Sequence, residues 1–373
     1  MAENQSEKSN KWLKYSVIIG GAIIFLVAIA GGLIYFNLFA APQMKAGTEQ
    51  LTVPLSSEVS DLTGLAKLLK DKGFIKNETG FRIAYLKTIR LNIPIISIAN
   101  TSCDDCFVLG AYKLSKSMDA WQIAKAIKDK PYMQWVVIPE GLRKEQIADI
   151  LGDPLFLNWS EKQKSDWVTE FTAMQYDYIE GVYFPDTYLI PVDETPLDVA
   201  NRLRAHFEEK FSTYSQEAQK QNIKWDTLLK IASIIQREGI GKDDMPVISG
   251  VIWNRLLAGM KLQIDATVQY ARDDVVHYGQ AGSDTQPQNY SSAGDWWAPI
   301  KPEDIKNIIS PYNTYQNKGL PPHPICNPGI EAIDAALNPA KTDCLYYLHD
   351  SNGQIHCAKT YEEHQANIEK YLR

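Results

Sequence analysis

The residues best suited to chemistry in this chain lie at the end of one amphipathic run, Trp225–Gly241 (WDTLLKIASIIQREGIG). Leu228, Ile231, Ala232 and Ile235 recur at helical spacing, and Asp226 is placed to cap the helix they imply. At about 100° per residue, Glu238 falls close to Ile231 on that same face. A carboxyl there is partly desolvated and sits in the last turn, where the helix dipole disfavours an anion. Both effects raise its pKa. That suits a group which must hold a proton near neutral pH and give it to a leaving oxygen. Taken alone, the same pattern also describes a solvated glutamate at a helix end. Other hydrolytic chemistries find no residues: Ser-x-x-Lys, Lys-Thr-Gly, HExxH and Gly-x-Ser-x-Gly are all absent. The six histidines are scattered, without a His-x-x-x-His pair, so no metal centre is expected. What remains is carboxylate chemistry, the chemistry of glycosidic bonds.

The elements that must position such a group begin with a membrane segment. From Tyr15 to Met44 no residue is charged, and Val17–Phe36 is almost wholly apolar. A helix of ~20 residues crosses the ~30 Å hydrocarbon layer, whereas a signal peptide has an apolar run of ~7–15 residues and a small-x-small site. Ala40-Ala41-Pro42 fits that site poorly. Lys8, Lys11 and Lys14 precede the run, so the positive-inside rule places residues 1–14 in the cytoplasm. Residues 15–41 then form the transmembrane helix, and the rest lies outside a cell membrane crossed once. With 38 basic and 45 acidic residues the formal charge is −7, which argues against a nucleic-acid partner. The five cysteines are too few for a disulfide-built scaffold. Cys103 and Cys106 form a CxxC without a second pair or a nearby His, so they read as a local disulfide or two unrelated thiols rather than a redox or metal site.

Beyond the membrane the sequence reads as α+β. Strand-like Leu51–Pro54 precedes a helical run over Leu62–Gly73, and the same logic returns over Val136–Leu151, with another amphipathic helix at Ser117–Lys130. The segment 42–152 resembles a duplicated strand-helix module of the LysM-like kind, suited to glycan or scaffold contact. Residues 153–373 then form a mixed α/β catalytic domain, with helical runs at Trp159–Ala173 and Leu197–Gln219. After the Glu238 helix comes turn-rich aromatic sequence, then a strand at Cys344–Leu348 and a helix at Tyr361–Leu372. The polar stretch 279–300 reads as an inserted loop. It ends in Trp296-Trp297, which suits packing better than an exposed sugar-stacking surface.

Longer motifs sharpen this. ASIIQREGIGKDDMPVISGVIWNRLLAGMKLQIDATVQYA (232–271), SPYNTYQNKGLPPHPICNPG (310–329), ALNPAKTDCLYYL (336–348) and AKTYEEH (358–364) occur in this order, preceded by VVIPEGLRKEQIADIL (136–151) and EGVYFPDTY (180–188). Together they resemble the endolytic murein transglycosylases, the MltG or YceG-like family. The resemblance covers nearly all of the chain after residue 15. It implies a lyase without cofactor or metal. Glu238 protonates the glycosidic oxygen between N-acetylmuramic acid and N-acetylglucosamine in peptidoglycan, and the muramic 6-hydroxyl closes a 1,6-anhydro end. The same glutamate, now a carboxylate, takes the hydroxyl proton. Gln263, Asn254, Asn313 and Thr314 are then candidates for hydrogen bonds to acetamido and hydroxyl groups, and Tyr312 and Tyr315 for stacking on sugar rings. Asp265 orients substrate, stabilises positive charge or caps a turn. The implied partners are glycan strands, the bilayer and peptidoglycan synthases, and the implied role is termination of nascent strands.

Three departures stand out. Gln236 replaces the first of two glutamates, Ala266 replaces a turn proline, and Cys357 replaces an aromatic residue. The first gives some support to a rival reading as a catalytically inactive wall-binding or divisome scaffold. A muramidase using water would need a second carboxylate, Asp265 or Asp186. Topology is directly testable. A cysteine placed near residue 5 should resist an impermeant thiol reagent in intact cells, and one near residue 60 should label above the parent chain's background.

Overall fold

The computed structural model describes residues 3–89, 106–172, 179–278 and 296–373. The chain divides into two compact units, Met1–Trp135 and Val136–Arg373. Val136, Ile138, Ile147, Ala148 and Leu151 are buried in the core of the second unit. The strand-helix segment 136–151 therefore does not belong to a module ending at residue 152.

In the first unit, α1 (Glu3–Phe39) contains a 25-residue stretch, Tyr15–Phe39, with mean hydropathy 2.8. Its apolar side chains point outward around the helix, as in a helix solvated by lipid. Strand β1 (Thr48–Val53), α2 (Leu62–Asp71), α3 (Glu78–Thr88) and β2 (Gly110–Ser115) follow. β1 and β2 pair antiparallel, from Thr48–Ser115 to Val53–Gly110. The Asp61 carboxylate accepts from the Gly64 N–H and starts α2, while Asn77 does the same for α3 through Gly80. Gly80 also lets the Leu38 carbonyl approach where any Cβ would collide. A reciprocal Asp119–Gln122 cap starts α4 (Ala120–Lys128), and β3 (Met133–Val137) joins β2 at Gly110–Gln134. Cys106 is disulfide-bonded; Cys103 lies outside the described residues.

The second unit is mainly helical. It contains α5 (Lys144–Gly152), α6 (Glu161–Asp166) continued by a π-helical turn at Trp167–Phe171, β4 (Thr187–Pro191) and α7 (Pro196–Lys220). Next come α8 (Trp225–Glu238), α9 (Met245–Leu257), α10 (Asp265–Tyr278), α11 (Pro302–Asn307) and α12 (Ile330–Leu337). The hairpin β5 (Tyr346–His349) and β6 (Ile355–Ala358) and helix α13 (Tyr361–Tyr371) close the chain. Helices α9 to α12 and strand β6 add to the sparser reading of this region from sequence. α9 is hidden because Met245, Ile248, Val251 and Ile252 are all buried, which erases the polar stripe that marks an amphipathic helix.

Helix α8 is the core of this unit. Leu228, Leu229, Ile231, Ala232, Ser233, Ile234 and Ile235 are all buried among α7, α9, α10 and α12. Burying each large aliphatic side chain contributes about 2 kcal/mol. Asp226 does not cap the helix: Lys224 holds the cap position, and Asp226 pairs with Lys230 at 3.2 Å.

Polar side chains tie the surrounding loops to this helix. The Asn327 amide oxygen accepts from the Gly181 and Tyr183 N–H groups at 3.1 and 2.9 Å. Its amide nitrogen donates to the Leu142 carbonyl and to Glu180 at 2.9 and 2.8 Å. Glu180 is fully buried and also accepts from the Lys144 N–H. Burial and the neighbouring Glu145 push its pKa up to about 8. Gly181, at φ +99°, has no Cβ to strike Pro324. Ser233 accepts from the Ile325 N–H, Cys326 donates its thiol to the Ser233 carbonyl, and Gln236 accepts from the Gly329 N–H. Replacing Asn327 by Ala strands two buried N–H groups and should cost about 3 kcal/mol of stability in denaturant titrations.

Candidate active site

Glu238 is the last residue of α8, followed by Gly239. It lies in a cleft of about 310 Å³ together with Arg255, Gln263, Asp265, Tyr315, Tyr346, Tyr347, Tyr361 and His364. The Tyr347 hydroxyl donates to Glu238 Oε2 at 2.6 Å. Burial raises the Glu238 pKa above the ordinary carboxylate value. The Tyr347 hydrogen bond opposes that rise, Asp265 adds to it, and the Ala266 N–H and His349 oppose it. The dipole at the end of α8 is thus met by the start of α10, whose first-turn N–H favours a negative charge. The balance remains with burial, so the carboxyl keeps its proton to higher pH than a solvated one.

Gln263 and Asp265 come from the segment entering α10. Leu262, Ile264 and Ala266 are buried, whereas Gln263 and Asp265 alternate outward into the cleft. Gln263 holds φ +54°, a sparsely populated conformation for a residue with a Cβ. Thr314 fixes this path: its Oγ accepts from the Ile264 N–H at 3.0 Å and meets Thr267 Oγ at 2.8 Å, and its carbonyl accepts from the Gln263 N–H. Tyr315 donates its hydroxyl to Asp265 at 2.6 Å. Two tyrosine–carboxylate pairs therefore share the cleft.

Of the sequence candidates, Glu238, Gln263, Asp265 and Tyr315 are brought together. Four others belong to the scaffold. Tyr312 is buried with its ring 4.8 Å from Tyr270. The Asn313 amide nitrogen donates to the Ile305 and Ile308 carbonyls, and its amide oxygen accepts from the Tyr315 N–H. Thr314 is buried in the contacts above. Asn254 donates to the Thr342 and Cys344 carbonyls. Their polar atoms are occupied by the fold, so they shape the cleft from behind. Asp186 is elsewhere, paired with His206 at 2.7 Å. Trp296 and Trp297 pack over Arg143 and Arg237, at 4.7 and 4.1 Å.

Sequence reasoning missed the opposite wall. Tyr346 stacks on His364 and meets Tyr361 at a tilt of 58°, and the Arg255 guanidinium lies 5.0 Å from its ring centroid. Tyr361 and His364 stand three residues apart on α13, a spacing visible in AKTYEEH but without meaning until the helix docks. Cys357 forms a disulfide with Cys344 across the base of the hairpin that carries Tyr346 and Tyr347. Cys326 is the free thiol among the described cysteines; it is buried, and burial pushes its pKa up, which leaves it unreactive.

The model of the YceG-like family matches residues 56–370. The chain belongs to this family. One relative, named endolytic murein transglycosylase in Bacillus subtilis (strain 168), is 31% identical over 92% of this chain and 91% of its own length. A second protein of that name, from Streptococcus pneumoniae serotype 2 (strain D39), is 28% identical over 70% of this chain. This chain spans half of the length of that relative. The crystal structure of a yceG-like protein from Listeria monocytogenes aligns with a TM-score of 0.55 at 26% identity, covering 86% of this chain and 98% of the other.

The departures from the YceG-like pattern acquire physical meaning here. Gln236 accepts from Gly329 and hydrogen-bonds Glu140, whose pKa burial and Glu331 already raise. A glutamate at 236 would add a third carboxylate beside those two. Ala266, unlike proline, has an N–H for Glu238. The raised pKa also carries a stability consequence. Below the unfolded carboxyl pKa of about 4.3 both states hold the proton. As pH rises through the higher folded value, stability is lost. Glu238→Gln removes that loss, so its denaturation midpoint relative to the parent should be higher at pH 8 than at pH 4.

Proposed function

We propose that this chain is a lytic transglycosylase that cleaves peptidoglycan glycan strands at the bond between N-acetylmuramic acid and N-acetylglucosamine. The observation that carries the reading is Glu238: a carboxyl with a raised pKa, inside a cleft walled by tyrosines, in a family whose relatives are named endolytic murein transglycosylases. Glu238 gives its proton to the leaving oxygen. As a carboxylate it then takes the proton of the muramic 6-hydroxyl while that oxygen attacks the anomeric carbon, leaving a 1,6-anhydro end. Tyr315, Tyr346 and Tyr361 offer rings to the sugars, and Gln263 and Asp265 offer polar contacts.

The same reading places the catalytic unit outside the cell membrane, tethered by the helix at residues 15–41. The Cys344–Cys357 disulfide supports this, because such bonds persist in oxidising compartments. The β-α-α-β order of the first unit supports a LysM-like contact with glycan. Acting beside peptidoglycan synthases, the enzyme terminates nascent strands.

The test is digestion of purified peptidoglycan by the full chain in detergent micelles, with mass spectrometry of the products. Anhydro ends are expected. Reducing ends would identify a muramidase using Asp265, and no cleavage would leave a scaffold. Glu238→Gln should lower cleavage by at least ~10²-fold with the fold intact, since the amide cannot deliver a proton. Asp186→Asn should retain activity, because that carboxylate is occupied by His206 outside the cleft.

A further inference from the structure

The geometry assigns Tyr347 as the positioning residue of the reaction: by donating its hydroxyl to Oε2 of Glu238, it makes Oε1 the oxygen that carries the transferable proton. This rests on the reading of Glu238 as the acid. A terminal glutamate of a helix has three rotatable bonds, and the Gly239 that follows supplies no side chain to restrain it. The 2.6 Å hydrogen bond from Tyr347 is the side-chain restraint, and it works beside the Ala266 N–H. In a neutral carboxyl the carbonyl oxygen is the better acceptor, so the oxygen facing the phenol becomes the carbonyl and the other becomes the hydroxyl. After proton transfer the same phenol stabilises the carboxylate that must act as base.

Tyr347 is well placed to remain a donor throughout. Burial and the adjacent carboxylate both hold its phenol in the protonated form. It is set by the β5–β6 ladder, where it stands opposite Cys357, and the Cys344–Cys357 disulfide closes that hairpin. The other charged or titratable neighbours of the pair are Arg237 beside Glu238 on α8, Asp265 and Tyr315 from the opposite pair, Arg255 from α9 and His349 from β5. His349 is itself held by Asp244 at 2.7 Å, and Asp244 accepts from the Ile240 and Gly241 N–H groups just beyond α8. The hairpin thus reaches the end of α8 at two points, and Tyr347 is the one that touches the reacting group.

The experiment titrates the Glu238 carboxyl itself. Infrared spectra of the full chain in detergent micelles, labelled with ¹³C-carboxyl glutamate, are recorded against pH and differenced against Glu238→Gln to isolate one band. Tyr347→Phe should move the Glu238 midpoint upward by about one to two pH units, the range expected on losing a hydrogen bond to a charged group. The alkaline limb of kcat/KM should move with it, and kcat should fall on the order of tenfold with KM within a factor of about two. Site-specific 3-fluorotyrosine at position 347, which preserves shape and donates more strongly, should move the midpoint downward and needs no change in packing. An unmoved midpoint in both variants overturns the assignment, as does a rise in KM without a shift of the pH limb. Because the infrared readout needs no turnover, shifted midpoints in a chain whose Glu238→Gln variant still cleaves would uphold the contact and reject Glu238 as the acid.

Discussion

A helix buried through its middle delivers its last side chain to a place that bulk water does not fully reach, and the rest of the second unit is arranged around that constraint. α8 hides its aliphatic residues from every direction, so Glu238 must be solvated by protein. The groups that do so come from two separate elements, the Tyr347 hydroxyl from a hairpin and the Ala266 N–H from the start of α10, while the charge of Asp265 beside them acts against the anion. Two donors without a full positive charge leave the carboxyl poised to carry its proton and then to release it. A lysine or arginine in direct contact would fix it as an anion.

Holding that arrangement requires loops that cannot drift, and buried polar atoms supply the stiffness. Asn327 uses both ends of its amide to join residues 142, 180, 181 and 183, and Ser233 and Gln236 attach the following segment to α8 itself. Arg143, Lys144 and Glu145 are buried beside this node, with Arg143 paired to Glu145 at 3.1 Å and to Asp274. Buried charges of this kind are costly unless every partner is in place. They therefore favour one packing over near alternatives more than they add to total stability. On the far side of the cleft a different device serves the same end. A disulfide closes the β5–β6 hairpin, and Arg255 donates to the Leu345 carbonyl just before β5 and to the Leu262 carbonyl just before Gln263.

Much of this was legible in the sequence, and the places where it was not follow a pattern. The membrane helix, the strand-helix alternation of the first unit, α7, α8 and the position of Glu238 were readable because each depends on local periodicity and caps. Helix α9 was not, since burial on several sides removes the polar stripe that reveals a helix, and α12 is only eight residues long. The LRKEQ segment read as an ordinary helix start, yet Arg143, Lys144 and Glu145 are nearly inaccessible. Partners from distant segments, Glu180, Asp274 and the Val168 carbonyl, join the Arg143–Glu145 pair in making that burial tolerable.

The same division runs through the site. Residue type and local spacing determined that a glutamate ends an amphipathic helix close to its apolar face, because helix position is a local property; they left open a solvated carboxyl, and burial in the fold raises its pKa. Family motifs added Gln263, Asp265 and Tyr315, but equally proposed Asn254, Tyr312, Asn313 and Thr314. Those four point into the fold, because a motif records that a residue matters without recording whether it faces ligand or backbone. Tertiary structure alone decided that Tyr347 meets Glu238 across 109 positions of sequence. It also decided that Cys344 and Cys357 join and that Tyr346, Tyr361 and His364 form a wall. Contacts between segments so far apart depend on how helices and hairpin dock, and that depends on the summed burial of the whole core rather than on any local pattern.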